Sequence, residues 1–204
     1  HEVLSTRDSR DLVGGAYQTN AEALEDDELA RAWLIDRTGR VPVAIGHSHG
    51  GMLAAAHAAK HPDTPALVLL SAHHGGPNIT RLMADVGMMG GTRHEEMTAE
   101  ARRLVAEGKG SQLLMAEGWW NLISAASYVD YHDNTPDILD AAPRLTCPVL
   151  YIVGETEPEA RYPITAFAER CAGPVTTLRL QGCSHFYTGF EAQVAAIVAD
   201  WLDG

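Results

Sequence analysis

Val41-Pro42-Val43-Ala44-Ile45-Gly46-His47-Ser48-His49-Gly50-Gly51-Met52-Leu53 is the stretch whose reading decides the fold. Residues 41–45 are a short apolar run that reads as a buried strand. Residues 52–60 (MLAAAHAAK) are small, helix-favouring residues. Between them lies G-x-S-x-G. A serine squeezed between a strand and a helix sits in a sharp, strained turn at the carboxyl end of the strand, and the N–H groups at the helix start face whatever its oxygen attacks. The glycines two before and two after Ser48 are expected to keep Cβ atoms out of that turn.

Working outward, the flanking segments repeat the strand-and-helix rhythm. Asn20 caps a helix to about Arg37, with Leu29, Ala30, Trp33 and Leu34 as its apolar face. Ala66–Ser71 (ALVLLS), Val149–Val153 (VLYIV) and Val175–Leu180 read as further strands, and Val3–Thr6 as a short one. Residues 163–171 read as a helix. The segment Glu191–Leu202 is amphipathic, with Val194, Ile197, Val198, Trp201 and Leu202 on one face. Continuously apolar strands alternating with helices imply an α/β protein with a mostly parallel sheet covered on both faces. Residues 77–146 break the rhythm. They hold no evident strand, and helical patches fall at about 79–88, 94–107, 111–132 and 136–142. The expected organisation is a core from 1–76 and 147–204 with a helical lid inserted at 77–146.

Composition narrows the function. With 204 residues, 46% apolar and 21% charged, the chain has the makings of one ordinary core. The net charge of −12 repels a phosphate backbone, so nucleic acid is not an expected partner, and no basic cluster recommends an anionic membrane surface. Cys147, Cys171 and Cys183 fit neither a zinc site nor a disulfide framework, which suits a cytoplasmic protein with reduced thiols. No stretch of about eighteen apolar residues exists, and no signal peptide pattern is evident.

A serine hydroxyl needs a base to take its proton and a third group to orient the base. His185, in Gly182-Cys183-Ser184-His185-Phe186, lies between the last strand and the last helix, where a loop overhangs the carboxyl edge of the sheet. Gly154-Glu155-Thr156-Glu157-Pro158 directly follows another strand. Glu157 is the preferred acid and Glu155 the alternative.

These three segments together resemble the α/β-hydrolase superfamily, and within it esterase- and lipase-like members with a helical lid. The resemblance implies Ser48 as nucleophile, His185 as base, Glu157 as acid and the His49 N–H as one oxyanion donor. The implied reaction is hydrolysis of a small carboxylic ester through an acyl-enzyme, with no cofactor. Thioester, amide or carbon–carbon hydrolysis are alternatives, as is a ligand-binding receptor that keeps the triad. The resemblance also implies a strand between residues 3–6 and 41–45, followed by a loop carrying the second oxyanion N–H. Nothing in this chain supplies them. An upstream segment of the same protein, or a companion chain, is therefore expected to complete the sheet.

Two groups of residues stay open. His73, in the His-His-Gly-Gly run after residue 71, either lines the mouth of the site or belongs to a polar loop. Met88, Trp119 and Trp120 either contact substrate or form the interior of the lid. The pairs His47/His49 and His57/His61 have ligand-like spacing, but no zinc-hydrolase pattern accompanies them, so no catalytic metal is expected.

Overall fold

The computed structural model describes residues 14–116 and 122–204. The strand expected at 3–6 and the side chains of Trp119 and Trp120 lie outside these residues. In chain order the elements are α1 (Asn20–Thr38), β1 (Ala44–His47), α2 (His49–Ala58), β2 (Leu67–Leu70), α3 (Ile79–Ala84), α4 (His94–Ala106), β3 (Leu113–Leu114), β4 (Ile123–Ser124), α5 (Ala125–Asp133), α6 (Ile138–Ala141), β5 (Val149–Gly154), α7 (Ile164–Arg170), β6 (Val175–Leu180) and α8 (Glu191–Asp203). The described residues form two compact units, residues 24–75 with 136–204, and residues 76–116 and 122–135 with 14–23.

The first unit is an α/β sandwich. Its sheet runs β1-β2-β5-β6, all parallel. Strand residues alternate between two cores. Leu67, Leu69, Val149, Tyr151 and Val153 pack with Ala55 of α2, Ile138 of α6 and Phe167 of α7. Val68, Leu150, Ile152 and Leu180 pack with Val194 of α8. Burial on both faces is why the two central strands, β2 and β5, read as unbroken apolar runs, whereas the outer strands β1 and β6 are largely half-buried or exposed. β1 starts at Ala44, paired with Leu67, three residues later than the apolar run suggests. Pro42 has no N–H to give to a ladder. At its other end β1 continues to His47 and α2 opens at His49, so the helix begins three residues earlier than its composition indicates.

Two apolar surfaces in this unit stay open. No strand among the described residues pairs with the second edge of β1, and Ile45 is 54% exposed there. The expected apolar face of α1 splits. Ala30 and Leu34 line a groove with Val43 and Ala54, whereas Leu29 and Trp33 are 62% and 58% exposed.

The second unit packs Ile79, Met83, Met89, Met97, Leu104, Leu114, Ile123 and Tyr128 into its own core. It corrects the expectation of a strand-free insertion. Leu113–Leu114 pairs antiparallel with Ile123–Ser124, and the helix expected over 111–132 is confined to Ala125–Asp133. The cause is local. The Lys109 N–H bonds back to the Leu104 carbonyl, closing α4, and the Ala125 and Ala126 N–H groups bond to the carbonyls of Gln112 and Gly110. With the chain turned out of helix, Leu114 and Ile123 reach the core as cross-strand neighbours. Ser124 then caps α5 by accepting the Ser127 N–H. Residues 136–146, which the sequence reading joined to the insertion, supply Ile138, Leu139, Ala142 and Leu145 to the core of the sheet. No helix among the described residues is long and apolar enough to cross a membrane.

Candidate active site

Ser48 occupies a positive-φ conformation, φ 55° and ψ −119°, between β1 and α2. A non-glycine residue holds such a backbone only when its surroundings force it. The forcing contacts are specific. A Cβ on Gly46 would sit 2.3 Å from the Gly50 carbonyl oxygen, and one on Gly51 would sit 2.7 Å from the Ala72 Cβ. A Cβ on Gly50 would meet nothing within 4 Å. Of the two glycines expected to relieve crowding, Gly46 does so and Gly50 does not. The residue after it carries that role, because α2 presses against the residues that follow β2 at Gly51.

Ser48 Oγ lies 3.0 Å from His185 Nε2, and His185 Nδ1 lies 2.7 Å from Glu157 Oε1. With Nδ1–H donating to the carboxylate, Nε2 is left to accept the serine proton. Glu157 is buried, and its second oxygen accepts from Ser71 Oγ at 2.5 Å and from the Gly154 N–H at 2.6 Å. Burial pushes this carboxyl group up. The bonds from His185, Ser71 and Gly154 outweigh that push and hold it below the usual carboxylate range. Glu155 points elsewhere. It is exposed and accepts the Gly182 N–H at 2.8 Å and Gln181 Nε2 at 3.2 Å, steadying the loop that leads to His185. Of the two glutamates, Glu157 is the one brought to the imidazole.

Two residues around this chain of hydrogen bonds, Ser71 and Tyr187, were not singled out in the sequence, and a third, His47, was weighed there only as a metal ligand. Ser71 is fully buried with φ 44°, and its Oγ lies 2.7 Å from Tyr187 Oη, which donates to the Ile152 carbonyl at 3.0 Å. His47 donates from Nε2 to the His185 carbonyl at 2.8 Å, and burial lowers its pKa. Ser71 had a signal, since it is the polar residue ending an apolar strand, as Ser48 follows one. Tyr187 and His47 had none, because each acts through a backbone carbonyl distant in sequence.

His73 is 2% exposed, and burial holds its pKa well below the usual value, so its ring is neutral. Its Nδ1 accepts the Gly75 N–H at 3.0 Å, which puts the ring proton on Nε2, 3.1 Å from His49 Nδ1. His73 thus orients the His49 ring, leaving Nε2–H of His49 as that ring's donor. The His49 backbone N–H is the first amide of α2, at the positive end of the helix dipole. Met88 is partly buried against the core of residues 76–135. Of the two histidine pairs with ligand-like spacing, one separates, His47 going to His185 and His49 to His73, and the other, His57 and His61, meets on Glu28.

The fold that carries this arrangement has counterparts among known proteins. The model of the Alpha/beta hydrolase family matches residues 6–199. The chain belongs to the alpha/beta hydrolase family. No curated protein sequence matches it. Among solved structures it is similar to Est1E from Butyrivibrio proteoclasticus, with a TM-score of 0.63 and 20% identity over 91% of this chain and 70% of that one. It is also similar to a monoacylglycerol lipase from Paleococcus ferrophilus, with a TM-score of 0.64 and 20% identity over 91% and 75%. A thermostable carboxyl esterase from Bacillus coagulans aligns with a TM-score of 0.66 and 15% identity over 92% and 72%. At these identities the likeness establishes the fold of this hydrolase.

Proposed function

We propose that this hydrolase cleaves small carboxylic esters through a Ser48–His185–Glu157 relay and an acyl-enzyme. The carrying observation is the continuous hydrogen-bonded path from Ser48 Oγ through His185 to Glu157. His185 Nε2 takes the Ser48 proton as Oγ attacks the ester carbonyl carbon. The carbonyl oxygen gains negative charge beside the His49 N–H. Glu157, anionic and held by three donors, stabilises the imidazolium that forms. The tetrahedral species collapses, the alcohol leaves with the proton from His185, and Ser48 is left acylated. Water then gives a proton to His185 and its oxygen to the acyl carbon, releasing the acid and restoring Ser48. No cofactor takes part in this scheme.

The choice of ester over thioester or amide draws on the similar solved structures that are a carboxyl esterase and a monoacylglycerol lipase by name. The open edge of β1 supports a further part of the reading, in which a strand outside the described residues, from an upstream segment or a companion chain, pairs there and brings the second oxyanion N–H. The test uses a fluorophosphonate probe and short p-nitrophenyl esters on the protein and on Ser48→Ala. Stoichiometric labelling and turnover that both vanish in the variant are expected. Labelling retained in Ser48→Ala overturns the assignment.

A further inference from the structure

Ser48 lies at the amino end of α2, and a second cluster of chemically capable side chains lies at the other. α2 has ten residues and is therefore about 15 Å long, so the two ends are well separated. His57 lies in the last turn of α2 and His61 in the turn just beyond it, with their ring centroids 4.5 Å apart and their planes tilted by 39°. Glu28 reaches them from α1. Its Oε2 lies 3.1 Å from His57 Nε2 and 2.6 Å from His61 Nε2. These three ligand atoms all fall within 4.8 Å of one another.

We propose that Glu28, His57 and His61 form a binding site for a divalent transition-metal ion of the Zn²⁺ class, which clamps α1 to the end of α2. Two imidazole nitrogens and one carboxylate oxygen are the donor set that such ions favour. A tetrahedral ion with bonds of about 2.0–2.1 Å needs its ligand atoms about 3.3 Å apart. The two nitrogens already converge on one oxygen, and Glu28, the most exposed of the three, has room to draw back by that difference. Binding requires no redox partner. Each neutral ring moves its proton from Nε2 to Nδ1, and Nε2 gives its lone pair to the ion. Water fills the remaining position.

The electrostatic setting favours a cation. Asp27 is next to Glu28 and acts on His57. Arg31, one helical turn beyond Glu28 in α1, is paired with Asp63 at 2.5 Å. The inference rests on no part of the hydrolase reading.

The experiment strips the purified protein with a chelator and titrates it with Zn²⁺ by calorimetry and with Co²⁺ by visible absorption. One ion per chain is expected, with the intense bands of tetrahedral cobalt and a rise in melting temperature when Zn²⁺ is added. Glu28→Gln and His61→Gln should each weaken binding by more than the about 10–100-fold that loss of an outer-shell partner costs, and the pair of substitutions should abolish the melting shift. Melting of these variants in chelator, at the wild-type temperature, shows that they fold. Absence of binding overturns the proposal, and so does binding unchanged in the double variant, which would assign the ion to other histidines.

Discussion

The two ends of α2 solve different problems with the same residue types. At its start, histidines, a serine and a glutamate are held by packing and by paired bonds: Gly46 and Gly51 admit no extra atom, Ser48 is strained, and Glu157 is buried with three donors. At its end, two histidines and a glutamate meet at a half-exposed carboxylate with room to move. The first arrangement fixes reacting atoms in advance, as catalysis requires. The second leaves a donor set that an ion can complete. Position in the sheet, more than residue identity, separates the two.

The largest expected effect tests whether the first end depends on one carboxylate. Glu157→Gln keeps the shape but offers His185 Nδ1–H a weaker partner and admits the wrong tautomer, so kcat should fall by up to about 10⁴-fold. Glu155→Gln should change it by no more than a few-fold, since Glu155 bonds only the 181–182 segment. Steady-state ester hydrolysis by the two variants checks this. Equal losses would mean that the loop, and not the carboxylate at 157, carries the effect.

Next in size is the test of packing. Gly51→Ala drives a Cβ to 2.7 Å from the Ala72 Cβ and should cost about 1–3 kcal/mol. Gly50→Ala adds a methyl group to open space in the first turn of a helix, and should stabilise by about 0.5–1 kcal/mol. Urea denaturation of both variants gives the difference directly. Opposite signs confirm that α2 is docked through Gly51.

How much of this was legible follows from the same contrast. The central strands β2 and β5 were readable because burial on both faces writes long apolar runs, β1 and β6 because they sit in the strand-and-helix alternation, and Ser48, His185 and Glu157 because each follows a strand at the carboxyl edge. The hairpin at 113–124 was not. Leu113, Leu114 and Met115 favour helix locally, and only the closure of α4 and the needs of a separate core turn them into strand. Leu29 and Trp33 read as core but are exposed, because spacing shows that a face is apolar without showing what covers it. Ser71 and Tyr187 act through contacts across 86 and 116 positions, which no local pattern records.

The smallest expected effect concerns the protons buried beside Ser48. His73 is buried and neutral, and His47 is also pushed down by burial, so both bind protons more readily in the unfolded chain than in the folded one. A base with a lowered folded pKa leaves stability intact above its unfolded value of about 6.5. It removes stability as pH falls below that value, at up to about 1.4 kcal/mol per pH unit for each such group. Glu157 acts later. Its carboxyl is held down in the folded state, so its contribution disappears only as pH falls below the ordinary carboxylate range. Unfolding free energies measured from pH 7.5 to 5 should therefore slope downward toward acid. His73→Asn can still accept the Gly75 N–H and has no proton to gain, so its slope should be shallower by the share of one group. An unchanged slope would mean that His73 is protonated in the folded protein. The bond it gives to His49 would then be reversed or absent, and the orientation of the His49 ring beside Ser48 would need another cause.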